Sequence, residues 1–273
     1  MDYSTLVKQA KQYYSSNDKV EGGAYSIVDK KTKTRKKDPF YLKWCDECEE
    51  INLWTYWQGH KNKTAKVLLF GQDWACPWDS ETGLLMEKIK TVLSDDNLCS
   101  LRYIEMINKD DNPSPTDMML QELMKSLGEE YDPFTPDNEN LFFTNLCLGY
   151  RDHGSSGGLK KSALLHDVEY AKKLINIVNP KIVICLGKDV YEAMIRGTGS
   201  KPVSKERPFY KKLSEGKCYA MYEDRIPIFG QAHTGSLGAI NRWRYNPEKC
   251  EYSEDNKMRL LLNDWSKMKG FLE

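Results

Sequence analysis

Four apolar runs of strand length, spaced along the chain and closed by glycine or by small polar clusters, constrain this 273-residue sequence most. The first is Lys66-Val67-Leu68-Leu69-Phe70, followed by Gly71-Gln72-Asp73-Trp74-Ala75. Another lies within 140–147, a third is Ile182 to Leu186 followed by Gly187, and the last is Ile226 to Gly230 followed by Gln231-Ala232-His233-Thr234-Gly235-Ser236-Leu237. Helical patterns fall between and after them, at about 84–94, 116–127, 164–179 and 188–196, with an amphipathic stretch near 256–271. Strands that alternate with helices specify a parallel sheet with helices on both faces. The expected fold is therefore a three-layer α/β/α arrangement around a central, mostly parallel four-stranded sheet.

The chain shows no internal repeat and no low-complexity tract, and reads as an α/β domain over 61–273 with an N-terminal elaboration, 1–60, packed on the core. The run Lys30-Lys31-Thr32-Lys33-Thr34-Arg35-Lys36-Lys37 reads as a solvated arm or hairpin, or functionally as a phosphate-contacting arm. Trp44 to Trp57 reads as an aromatic cap on the core. Asp152 to Gly158 and Gly197 to Ser204 read as flexible loops.

Forty basic and forty acidic residues cancel, so no global field attracts polyanions and any such binding needs a local patch. The start, Met1-Asp2-Tyr3-Ser4, lacks the basic-then-apolar pattern of a secretory signal. No apolar run reaches membrane-spanning length. Eight cysteines in that context read as reduced thiols, with Cys147 and Cys185 as core residues, so a cytoplasmic monomer without membrane contact is expected.

In open α/β sheets, side chains just past the carboxyl ends of the strands share one crevice. Asp73 there suits stabilising positive charge or activating water, or capping a turn. Asn145 closes Leu141-Phe142-Phe143-Thr144-Asn145, and its paired donor and acceptor suit a nucleobase edge, or an Asx turn. His233, as a neutral imidazole, suits donating to an oxygen that gains charge as a bond breaks. A carboxylate, an amide and a neutral histidine together suit cleavage of a nucleoside C–N bond.

Four segments in order resemble the uracil-DNA glycosylase superfamily: Gly71-Gln72-Asp73, Thr144-Asn145, Pro180 through Gly187, and His233 through Leu237. The resemblance covers about two-thirds of the chain, over 66–245. It implies a uracil-DNA glycosylase-like fold and a monofunctional DNA glycosylase that acts on uracil or a C5-modified pyrimidine flipped out of DNA. Asp73 then resembles the residue that orients water and stabilises the sugar cation, and His233 the donor to the base carbonyl. Asn145 and Gln72 resemble base contacts, with Trp74, Trp78 and Phe143 as candidates to stack on the base. Leu237 matches the wedge that enters the base stack, with Gly235 and Ser236 as phosphate contacts.

In the main branch the first motif continues Pro-Tyr and the last reads His-Pro-Ser-Pro-Leu. Here Trp74-Ala75 follows Asp73, and Ala75 in place of the tyrosine opens the pocket to larger modified pyrimidines. A glycosylase for hydroxymethylated or glucosylated cytosine, acting in defence against phage, is the enzymatic alternative. A catalytically silent nucleic-acid or protein binder is the other. The DNA-contacting face is expected from Lys160, Lys161, Lys201, Lys205, Arg207, Arg242 and Arg244. Cys45-Asp46-Glu47-Cys48 resembles half of the cluster ligands of an iron–sulfur branch, but the second pair is missing. Zinc on Cys45, Cys48, His60 and Cys76 lacks a standard spacing. No metal or cofactor is expected.

Overall fold

The computed structural model describes residues 1–17, 19–28, 35–44, 64–73, 115–133, 140–152, 158–206 and 208–273. Among these residues the strands are β1 (Val20–Val28), β2 (Arg35–Lys43), β3 (Val67–Gly71), β4 (Leu141–Asn145), β5 (Tyr150–Arg151), β6 (Gly158–Leu159), β7 (Ile182–Leu186), β8 (Lys201–Pro202), β9 (Tyr219–Tyr222) and β10 (Ile226–Gln231). The α-helices are α1 (Tyr3–Ser16), α2 (Pro115–Lys125), α3 (Lys161–Val178), α4 (Lys188–Thr198), α5 (Phe209–Ser214), α6 (Ser236–Arg244) and α7 (Glu254–Ser266).

The protein is a mixed α/β structure. Its main sheet has the order β4-β3-β7-β10-β9-β8. The first four strands are mutually parallel, and β9 and β8 continue the sheet antiparallel. The expected four-stranded sheet is thus the parallel part of a six-stranded mixed one. The extension comes from a hairpin between β9 and β10, whose turn residues Glu223 and Asp224 both lie in the left-handed region, at φ 50° and 55°. They are the central pair of a turn closed by the Arg225 N–H on the Tyr222 carbonyl, within a three-residue connection, and their left-handed backbone twists the turn to match its strands. The supposed loop at Gly197–Ser204 is instead the last turn of α4 followed by edge strand β8.

Every residue of β3 and β7 is buried, as expected of strands covered on both faces. Each fully buried Leu, Ile or Phe there contributes roughly 1.5–3 kcal/mol. The step from β3 to β4 runs one way across the sheet, whereas β4 to β7 and β7 to β10 run the other. Right-handed crossovers therefore put α2 on the face opposite α3 and α4. The helix contacts agree, since α1 and α4 pack with α3, and α2 and α6 pack with α7. Among the described residues no helix is long and apolar enough to cross a membrane.

A second, antiparallel sheet has the order β5-β2-β1-β6. It joins the N-terminal hairpin to residues 150–159, so the elaboration extends beyond residues 1–60. Helix α1, N-capped by Asp2 accepting from the Thr5 N–H at 2.7 Å, buries Tyr3, Leu6, Val7, Ala10 and Tyr14.

Candidate active site

Asp73, Asn145 and His233 all lie at or just beyond the carboxyl ends of parallel strands of the main sheet: β3, its neighbour β4, and β10, which β7 separates from β3. Gly71 ends β3 directly opposite Asn145 at the end of β4. A Cβ on Gly71 would overlap the Asn145 Oδ1, so glycine is what lets the amide lie across the strand end. The same imagined Cβ would be 3.5 Å from Phe143 Cε2, and Phe143 and Asn145 share a face of β4 by strand alternation. The two strands stay joined past their ends, where the Leu146 and Cys147 N–H groups donate to the carbonyls of Gly71 and Gln72, each at 2.9 Å.

Among the described residues, two side chains hydrogen-bond to Asp73. Gln72 Nε2 donates to Oδ1 at 3.1 Å, and Arg151 Nε donates to Oδ2. The pair is buried, with side chains 4% exposed for Arg151 and 7% for Asp73. Arg151 arrives on β5, and its guanidinium carbon stands 4.4 Å from the centroid of the Phe40 ring on β2.

His233 follows β10. Its Nδ1 accepts the Gly235 N–H at 2.8 Å, which leaves any ring proton to Nε2. Its ring keeps contact with solvent, yet the surrounding protein desolvates it enough to hold its pKa below the ordinary 6.5, while the Asp73 carboxylate pulls the other way. Both effects of geometry and burial give a neutral imidazole with Nε2–H as a donor. Gly187, between β7 and α4, donates its N–H to the Gln231 carbonyl at 2.7 Å and so ties the β7 and β10 ends together.

Behind the site, fully buried Asp167 on α3 accepts from Tyr14 O–H on α1 and from the Leu148 N–H at 2.8 Å, and His166 Nδ1 lies 2.7 Å from its other oxygen. The segment between Asn145 and Arg151 is thereby anchored from two helices. Burial, reinforced by the carboxylates of Asp167 and Asp73, pushes the Cys147 thiol well up, so it is a protonated core group.

The remaining sequence expectations divide three ways. Leu237 is 76% exposed at the start of α6, where a wedge would stand, and Lys160 and Lys161 are exposed, Lys160 pairing with Glu21. Arg242 is a correction. At 1% exposure it pairs with Asp264 through Nε and Nη2 and donates from Nη1 to the Tyr245 carbonyl at 2.7 Å, so it has no face left for DNA. Gly235 is another, because its N–H is committed to His233 rather than to a phosphate. Trp74, Ala75, Trp78, Arg207, Cys45, Cys48, His60, Cys76 and the Ser236 side chain lie outside the described residues. Among the described residues no cluster of three His, Cys, Asp or Glu side chains is arranged to hold a metal ion. Arg151 was not a sequence candidate. Compared with known proteins, the chain matches no family model and no curated protein.

Proposed function

We propose that this protein is a monofunctional DNA glycosylase of the uracil-DNA glycosylase type, built as a three-layer α/β/α core, which hydrolyses the N-glycosidic bond of a flipped uracil or C5-modified pyrimidine. The observation that carries the reading is the juxtaposition at the carboxyl ends of the parallel strands of a buried carboxylate, a strand-end amide and a histidine whose Nδ1 is already occupied. That set matches the demands of the reaction, in which the sugar becomes cationic and the base leaves as an anion.

In this reading the C1′–N bond breaks with its electron pair staying on the base. His233 Nε2–H donates to the base carbonyl oxygen where that charge collects. A preorganised donor of this kind contributes roughly 3 kcal/mol in the transition state. Asp73 offsets charge on the sugar and orients the water whose oxygen bonds to C1′, the water's proton passing on to solvent or base. Asn145 reads the base edge, and Phe143 lies beside it for stacking. Leu237 fills the gap left by the flipped nucleotide, offsetting an unstacking cost of a few kcal/mol.

The test is release of base from oligonucleotides containing uracil, 5-hydroxymethyluracil, hypoxanthine or hydroxymethylated and glucosylated cytosine, read as abasic sites against Asp73→Asn. Release by the wild type alone supports the reading, and the substrate pattern separates repair from phage defence. Binding without release from any member of the panel would favour a silent nucleic-acid binder on the same fold.

A further inference from the structure

We propose that Arg151 is a positioning residue of the site: it holds the Asp73 carboxylate in place and limits that carboxylate's pull on His233, making the second sheet part of the catalytic apparatus. The proposal rests on the glycosylase reading for the reaction it serves, but the geometry stands by itself.

Arg151 is held through both its backbone and its guanidinium. Its backbone pairs with Leu42 of β2. The next residue, Asp152, takes the Tyr41 N–H on its Oδ1 at 3.0 Å and donates its own N–H to the Tyr41 carbonyl at 2.9 Å. The guanidinium lies over Phe40, an arrangement that attracts a cation to the ring face. Phe40 in turn fits because β1 has glycine beneath it: a Cβ on Gly22 would overlap the ring. The chain of contacts runs from Gly22 to Phe40 to Arg151 to Asp73.

Stability alone is a weak reason for such a pair. Two charges taken out of water recover little more than their desolvation cost, and apolar residues of similar volume do as well. A fixed planar donor does offer orientation, since it holds a carboxylate in one rotamer. It also offers charge balance. Asp73 is the charged side chain whose field raises the His233 pKa against the effect of burial. An adjacent guanidinium cancels part of that field, which favours the neutral imidazole the reaction needs.

The experiment compares wild type, R151Q, R151K and D73N by two readouts. The first needs no substrate: the His233 imidazole is titrated by NMR. The uncompensated carboxylate in R151Q should raise its midpoint, and D73N should lower it. The second is single-turnover excision of whichever base the wild type releases. R151Q should slow the step at saturating enzyme at least tenfold while oligonucleotide affinity changes less than about threefold. R151K keeps the charge without the planar fork and should move both readouts in the same direction by less, which carries the comparison should R151Q not fold. A His233 midpoint unchanged or lowered in the folded Arg151 variants, or a rate loss no larger than the unfolded fraction explains, overturns the proposal. Should the wild type release no base at all, the glycosylase reading fails, while the titration still decides whether Arg151 governs the Asp73–His233 pair.

Discussion

The Gly235 N–H donates to His233 Nδ1 at 2.8 Å, so the backbone two residues on selects the tautomer of the imidazole. A ring locked this way presents one donor, Nε2–H, and adding a second proton would break the bond to Gly235. Asp73→Asn and His233→Ala should each lower excision at least tenfold. His233→Ala should leave Tm within a few degrees, whereas Asp73→Asn removes one charge of the buried pair with Arg151 and should lower it, so single-turnover rates are compared for the folded fraction given by thermal melts. Near-wild-type rates in both variants would remove these residues from the active site.

The pH dependence follows from the same histidine. Its folded pKa lies below 6.5, so between that value and the unfolded one the unfolded chain binds more protons. Stability from this group is thus present above about 6.5 and lost as pH falls through the folded value. Activity should follow the same direction: flat near neutrality, with an acid limb centred below 6.5. A pH–rate profile set beside the NMR titration of His233 checks the assignment.

Arg242 and Lys161 should part company on substitution. Removing one member of a buried pair costs about 3–5 kcal/mol, so Arg242→Ala should lower Tm markedly while the folded protein keeps its DNA affinity. Lys161→Ala should leave Tm unchanged and reduce the salt slope of DNA binding by about one. Melts and salt-dependent binding separate the two.

Leu237→Ala isolates base extrusion. The side chain is exposed, so its loss should change stability by under about 0.5 kcal/mol. Excision from duplex DNA should fall several-fold, whereas excision from single strands should persist. Equal loss on both substrates would mean that Leu237 touches something other than the stack.

The parallel core could be read from the sequence because each strand is built on an apolar run that is followed by glycine or a small polar cluster. The expected runs 66–70 and 226–230 became β3 and β10 with ends displaced by a residue at most. Helix α1 was missed although Tyr3, Leu6, Val7, Ala10 and Tyr14 already mark one helical face; lysine, glutamine and serine lie between them and give the segment a polar look. Strand β9 was missed because it is four residues long and its turn, Glu223-Asp224, carries no glycine or asparagine to announce it. Within the site, Asp73, Asn145 and His233 were legible because each follows its strand directly. Arg151 was not, since its meaning depends on a partner 78 positions earlier. Arg242 misled for a related reason: a basic residue on a helix looks solvated until the carboxylate opposite, Asp264 on α7, is known.

Because β1 and β2 are completed by β5 and β6, more than a hundred residues later, the N-terminal hairpin leaves the ribosome long before its neighbours exist. At about 5–20 residues per second the wait is on the order of ten seconds, during which both outer edges of the hairpin are open to other strands. Arg151 reaches Asp73 only when that interval ends. A newborn chain is therefore expected to carry Asp73 through the synthesis of 78 further positions before the cation that completes it exists, and crowding by sister chains at this stage would lower the yield of active molecules.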